Sequence, residues 1–135
     1  MGMTGGCLCG QVRYELNAEP AVCINCHCTH CQKQAGSAFS IIVGVPEGSI
    51  DLTGNLKIYE DRGESGGGVQ RKFCPDCGSP IVSLVASAPG MIWVKAGTLD
   101  DTTSLSPAMN IFTKSKQHWL ELGDIPAFEA GPSGI

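Results

Sequence analysis

Seven of the eight cysteines in this 135-residue chain fall into three short clusters. The clusters read Cys7-Leu-Cys9, Cys26-His-Cys-Thr-His-Cys31 and Cys74-Pro-Asp-Cys77-Gly. The last spacing is typical of a zinc knuckle, because its turn aims two sulfurs at one point and its glycine lets backbone N–H groups approach them. Zinc takes four such ligands in closed sites, and three plus an exchangeable position in reactive sites. Seven clustered cysteines therefore predict two zinc ions per chain, one closed and one open.

The closed structural site is predicted to join Cys7 and Cys9 to Cys74 and Cys77. Neither pair can fill a tetrahedral shell alone, so each needs a partner pair from elsewhere in the chain. Such a site would connect distant segments and contribute strongly to folding, because structural zinc binding in small domains is worth on the order of 10 kcal/mol. The alternative is that the cysteines of the three clusters combine in a different way to form the two sites.

The open site is predicted at Cys26, Cys28 and Cys31. Three thiolates give a divalent ion a net charge of about −1, which makes it poor at ionising water and better suited to holding a fourth sulfur ligand as a thiolate. This charge favours thiol chemistry over hydrolysis. In the alternative interpretation Cys23 completes a four-sulfur structural site. We favour the open site, because Cys23 lies in the apolar segment Ala-Val-Cys-Ile, where a buried free cysteine is common.

Charge and segment composition limit the partners and the compartment. The net charge is −4 and no run of Lys or Arg exceeds two residues, which argues against nucleic-acid binding. The first ten residues lack the features of a secretory signal, and no apolar run could span a bilayer. We therefore expect a cytoplasmic protein without membrane association, in which clustered cysteines indicate metal binding rather than disulfides.

Short alternating segments separated by glycine, proline and asparagine indicate an all-β domain. One helix is expected at 29–35, with Gly36 as its stop. We expect one domain over 1–135, with its core at about 6–128, a loop at 63–68 and a flexible tail at 129–135. The predicted strands are 11–16, 21–24, 39–45, 49–52, 56–60, 69–73, 81–86 and 91–96.

Read with their surroundings, the cysteine clusters resemble the family of glutathione-dependent formaldehyde-activating enzymes, which includes centromere protein V domains. The resemblance runs in order from Gly6 to about Phe128. The matching segments are Gly6-Cys-Leu-Cys-Gly-Gln-Val-Arg-Tyr14, Cys26-His-Cys-Thr-His-Cys-Gln-Lys33 with Gly36-Ser37, Phe73-Cys-Pro-Asp-Cys-Gly-Ser-Pro80, Gly97-Thr-Leu-Asp-Asp101, Ile111-Phe-Thr-Lys-Ser-Lys116, Trp119, Pro126 and Phe128.

The resemblance implies a β-tent fold, a structural zinc on the four-cysteine set and a catalytic zinc on the three-cysteine set. It also implies a carbon–sulfur lyase, or synthase, that combines glutathione with formaldehyde to give S-hydroxymethylglutathione. Two positions depart from the family pattern, because Asn110 stands where a histidine is common and His118 where a proline is common. An asparagine cannot act as a general base, so turnover with formaldehyde is expected to be weak.

The chemistry needs hydrogen-bond donors for a developing alkoxide and walls for a pocket. The candidate donors are Ser37, Asn110 and Ser115, and the candidate wall residues are Phe39 and Trp119. The rival hypothesis is a non-enzymatic, zinc-stabilised binding domain. The fourth ligand of the second zinc separates the two, because a thiol or water there supports chemistry and Cys23 there supports a structural role.

Overall fold

A computed structural model describes residues 2–63 and 66–131. It confirms the all-β class, with ten strands and one α-helix in the described residues. The strands are β1 (Met3–Gly6), β2 (Arg13–Leu16), β3 (Val22–Cys26), β4 (Ser40–Pro46), β5 (Ile50–Thr53), β6 (Lys57–Arg62), β7 (Gly68–Phe73), β8 (Pro80–Val85), β9 (Met91–Lys95) and β10 (Met109–Ile111), and the helix is α1 (Thr29–Ala35).

The strands form two sheets. The smaller sheet has the order β1-β2-β5, and the larger has the order β10-β3-β4-β9-β8-β7-β6. All pairings between named strands are antiparallel except that of β10 with β3. Among the described residues, no helix is long and apolar enough to cross a membrane.

The two faces of β9 separate the two hydrophobic cores. Ile92, Val94 and Ala96 pack in a large core with residues of the smaller sheet, such as Tyr14 and Leu16. Met91 and Trp93 pack on the opposite face, in a second core around the three-cysteine cluster. This division follows from the period of two in a strand, which sends successive side chains to opposite faces. One face of the larger sheet therefore holds the fold together, and the other forms the floor of a site.

Helix α1 has the predicted bounds, and its ends have clear chemical causes. The Sγ of Cys28, at the N-cap, accepts a hydrogen bond from the backbone N–H of Cys31 at 3.2 Å. Gly36 ends the helix in the left-handed conformation, with φ of 64°, which glycine adopts without steric cost. Cys28 is therefore both a candidate metal ligand and the N-cap of the helix.

Two strands were not predicted, β1 and β10. Met-Thr-Gly-Gly lacks an apolar alternation, but a Cβ on Gly5 would lie 2.5 Å from the carbonyl oxygen of Thr98, so glycine permits a close approach of the chain. The first cysteine pair therefore follows directly after β1. Strand β10 has three residues and exists through its parallel pairing with β3. Residues 64 and 65 of the predicted loop and 132–135 of the predicted tail lie outside the described residues.

Candidate metal centres

The four-cysteine cluster connects the two sheets. Cys7 and Cys9 lie in the turn between β1 and β2, and Cys74 and Cys77 lie in the turn between β7 and β8. All four sulfurs lie within 4.8 Å of one another, and the Sγ of Cys9 is 3.6 Å from that of Cys7 and 3.8 Å from that of Cys74. Four converging sulfurs are the donor set of a structural zinc site, so this cluster can hold a metal ion.

Hydrogen-bond donors surround these sulfurs. The backbone N–H of Val12 donates to the Sγ of Cys7 at 3.3 Å, and the side-chain amide of Gln11 donates to the Sγ of Cys74 at 3.2 Å. Ser79 hydrogen-bonds to Cys77 through its hydroxyl at 3.3 Å and lowers the pKa of that thiol to about 5. Such donors stabilise thiolates, which are the form that binds metal.

The three-cysteine cluster lies where β3 meets α1. Cys26 ends β3, Cys28 caps the helix and Cys31 lies in the first helical turn. Their sulfurs lie within 4.8 Å of one another and all three residues are buried. Hydrogen bonds from Cys26 and Cys28 lower the pKa of Cys31 to about 2, and closeness to Cys28 and Cys31 raises the pKa of Cys26. A divalent cation would let all three sulfurs ionise together, so this donor set also fits a metal ion.

Cys23 does not join this cluster. It is a buried member of the large core, on the face of β3 opposite Cys26, and burial raises the pKa of its thiol. Side chains three positions apart in a strand point to opposite faces of the sheet. Within the described residues, the second candidate metal centre thus offers three cysteine sulfurs.

A cavity of about 70 Å³ lies beside the three sulfurs, on the floor formed by the larger sheet. Most of its wall is apolar, from strands β4, β7, β8, β9 and β10 and the turn after β10. The apolar lining residues are Ile42, Val69, Val85, Trp93, Ile111 and Phe112, and the polar ones are Arg71, Ser83 and Lys95.

Two buried cations in this cavity were not foreseen, Arg71 and Lys95, which are 5% and 6% exposed. The Nε of Arg71 donates to Asp61 at 2.8 Å, and the same carboxylate contacts the Nδ1 of His30 at 2.9 Å. The Nζ of Lys95 donates to the hydroxyl of Ser40 at 2.7 Å, and burial lowers the pKa of Lys95.

A sequence signal for both cations existed. Lys95 alternates with Met91 and Trp93, and Arg71 alternates with Val69, so each is a charged residue on an otherwise apolar strand face. Burying a charge in that position raises the free energy of the folded state unless the charge is paired. Such a residue is therefore a candidate for a functional site.

Asn110 lies behind the cluster, in β10. It is 2% exposed, and its Oδ1 lies 2.8 Å from the Nε2 of His27 and accepts from the Nδ2 of Asn25 at 3.2 Å. His27 is completely buried between two of the cysteines, and its ring lies 5.0 Å from that of Phe39. Asn110 and Phe39 thus both contact His27, which lies between Cys26 and Cys28 in the sequence. Neither belongs to the described lining of the cavity.

The other three candidates also lie away from the cavity lining. Ser37 is exposed after α1, and Ser115 accepts a hydrogen bond from the side chain of Gln32 through its carbonyl at 2.9 Å. Trp119 is 67% exposed and its Nε1 donates to Gln117 at 2.7 Å. In the described part of the chain, the polar atoms at the cavity come from the larger sheet instead.

An all-β fold with two convergent cysteine clusters defines a class of metal-binding domain, and comparison gives the family. The model of the glutathione-dependent formaldehyde-activating enzyme family matches residues 2–115. The chain belongs to this family.

Two curated fungal relatives and one solved structure are similar to it. Proteins of Penicillium rubens and Podospora anserina, each named "Putative glutathione-dependent formaldehyde-activating enzyme", are 34% identical over 53% and 59% of this chain. The match covers 38% of the length of each relative. A crystal structure of a Rhodobacter sphaeroides protein has the same fold, with a TM-score of 0.60 and 23% identity over 93% of this chain and 99% of that one.

Proposed function

We propose that this protein is a zinc-dependent carbon–sulfur lyase, or synthase, that combines a small thiol with an aldehyde. By its family, the thiol is glutathione, the aldehyde is formaldehyde and the product is S-hydroxymethylglutathione. One observation carries the proposal, namely three buried cysteine sulfurs that share a cavity while Cys23 faces the opposite core. A tetrahedral ion there would have its fourth position available to a ligand in the cavity.

The ligand set favours sulfur as that fourth ligand. Cys26, Cys28 and Cys31 would hold the ion, and a bound zinc would supply a lowered pKa for the substrate thiol. Three thiolates make the site soft and electron-rich, so it prefers a thiol to hard oxygen ligands. The substrate sulfur then adds to the carbonyl carbon, a carbon–sulfur bond forms, and the π electron pair moves to the oxygen.

The chain's own residues orient the site and exclude water. The apolar wall, with Ile42 and Phe112 among its members, surrounds the sulfurs and strengthens electrostatic interactions inside the cavity. The ion pair of Arg71 with Asp61 keeps a guanidinium beside Cys31. Burial by itself lowers the pKa of Arg71, but Asp61 and Cys31 more than offset this, so the pKa is raised above its ordinary value. This cation offsets part of the negative charge of the three thiolates.

Asn110 acts through His27 in this proposal. Its Oδ1 fixes the imidazole between Cys26 and Cys28, and Phe39 packs on the same ring. Asn110 is therefore a positioning residue for the ligand loop. Ser115, through Gln32, fixes α1 on the turn after β10.

Calorimetry with glutathione tests the proposal. We expect saturable binding to the zinc-loaded protein, tighter as the pH rises toward the pKa of the thiol, because the thiolate is the bound form. Cys28→Ser should lose this binding, and Cys23→Ala, the matched control, should retain it. Equal or absent heats in wild type and Cys28→Ser would refute thiol binding at this centre.

The reaction itself is measured separately. With ¹³C-labelled formaldehyde and glutathione, NMR should detect S-hydroxymethylglutathione forming faster than in a protein-free sample. Thiol binding without any acceleration would support the rival function, a zinc-stabilised binding domain.

A further inference from the structure

The cavity beside the three cysteines contains polar groups without protein partners. Trp93 and Ser83 are each 5% exposed and line the cavity, yet neither the indole Nε1 nor the serine hydroxyl has a hydrogen-bond partner among the described residues. Buried donors are rarely left unpaired, because each costs about 1–3 kcal/mol. Two residues that line one cavity thus carry such an atom, which points to a polar ligand in this part of the molecule.

Lys95 adds a positive charge to the same place. Lys95 lies two positions after Trp93 on β9, and the alternation places both on the face that bears the three cysteines. The hydroxyl of Ser40 is its one hydrogen-bond acceptor in the described part of the chain, and no described carboxylate forms an ion pair with it. An ammonium carries three donors, so two of them remain for a ligand.

The ligand must accept hydrogen bonds and tolerate a cation. The unpaired indole N–H is a donor only, and the ammonium has no acceptor capacity, so both suit an acceptor oxygen, and the positive charge favours an oxygen that is negative or becomes negative. The cavity volume of about 70 Å³ fits a group of a few atoms. The oxygen of a small carbonyl compound satisfies both conditions when a sulfur adds to its carbon.

We propose that Lys95 and the Nε1–H of Trp93 bind the oxygen of the carbonyl substrate and stabilise the alkoxide. The inference rests on the proposed thiol addition. As the carbon–sulfur bond forms, the π pair moves to the oxygen between these two donors. The proton that the thiol released on binding returns to this oxygen through solvent, so the product is a neutral hemithioacetal. In this proposal the donors to the alkoxide lie on β9, whereas Ser37, Asn110 and Ser115 lie outside the cavity lining.

Formate is the probe of this oxygen site, because it is a small trigonal oxyanion. In ¹⁵N-labelled, zinc-loaded protein, formate should shift the indole resonance of Trp93, which is identified by its absence in Trp93→Phe. We expect the shift to saturate, and chloride at equal ionic strength to leave the resonance in place. Absence of a saturable shift in the wild type would overturn the proposal, whatever the variants do.

Variants distinguish formate binding at Lys95 and Trp93 from formate binding at the metal. Lys95→Met should weaken formate binding at least about tenfold, whereas Lys57→Met, which removes an exposed charge from β6, should not change it. Saturating glutathione should leave formate binding in place. Displacement of formate by glutathione would show that it binds the metal position, and would overturn the proposal.

Kinetics give the second readout. Lys95→Met should lower kcat by about 10²–10³ and Trp93→Phe by about tenfold, with the thiol KM within a few-fold of wild type and partial recovery in Lys95→Arg. A rise in the thiol KM that accounts for the whole loss would refute the role. If glutathione does not bind the wild type but formate still shifts Trp93, the thiol function fails and the anion site stands.

Discussion

Cys23 and Cys26 lie on opposite faces of β3, although only two residues separate them. Cys26 contributes to the three-sulfur cluster, and Cys23 packs in the large core between the sheets. The alternation of side chains in a strand forbids both sulfurs from reaching one ion without a distortion of β3. This relationship keeps the second centre at three cysteines.

Cys23→Ala should therefore retain two zinc ions per chain. We expect the free energy of unfolding to fall by only about 1 kcal/mol, because alanine replaces a small apolar side chain with a slightly smaller one. Zinc content by mass spectrometry and urea unfolding check this. A variant with a single zinc would make Cys23 a ligand.

Cys77→Ser and Cys28→Ser should differ in their effects. Cys77 belongs to the cluster that joins the two sheets, so its loss should give insoluble or unfolded protein. Cys28 connects only neighbouring elements, so its loss should leave a folded protein with about one zinc. Circular dichroism and zinc content are the measurements. Equal unfolding of both variants would contradict the division into a structural and an open centre.

Asn110→Ala should lower the free energy of unfolding by about 1–3 kcal/mol, because it leaves the buried His27 without its 2.8 Å partner. We also expect the second zinc to be lost to a chelator at about tenfold lower concentration, since His27 lies between two ligands. Chelator competition measures this. The matched control is Asn25→Ala, which removes the weaker contact to the same oxygen and should have a smaller effect.

Asp61→Asn should destabilise the protein by about 3 kcal/mol at neutral pH, because it leaves the buried Arg71 unpaired. Although burial opposes the shift, hydrogen bonds from His30 and Arg71 place the pKa of Asp61 below its ordinary value of 3.8. The stabilisation is therefore complete above about pH 4 and is lost as the pH falls through the lower pKa of the folded state.

Urea unfolding of wild type and Asp61→Asn from pH 7 to pH 3.5, with zinc content recorded at each pH, measures the difference. Asp51→Asn, an exposed carboxylate on β5, is the control and should change the free energy by less than about 0.5 kcal/mol. A difference that grows as the pH falls would contradict the sign of the Asp61 contribution.

Much of the local structure was predictable from sequence. The spacing of the cysteines predicted which sulfurs lie close together within each cluster, since knuckle turns and helix starts fix sulfur positions over a few residues. The bounds of α1 also followed from a local signal, because Gly36 ends the helix. Strand β1 escaped prediction because its glycines have no apolar pattern, and their use lies in a contact with a distant segment.

The composition of the cavity was decided by tertiary structure alone. Asn110, adjacent to Ile111 in sequence, faces away from the cavity because neighbours in a strand point to opposite sides. Arg71 and Lys95 reach the same cavity from β7 and β9. In the sheet order, at least one other strand lies between each of these strands and β3, which carries Cys26. The cysteine pattern determined which sulfurs lie side by side within each turn, because that spacing is local, whereas the fold brings Cys7 and Cys9 to Cys74 and Cys77. The pairing of seven strands determined which donors face the cavity, because sheet order depends on contacts between distant residues.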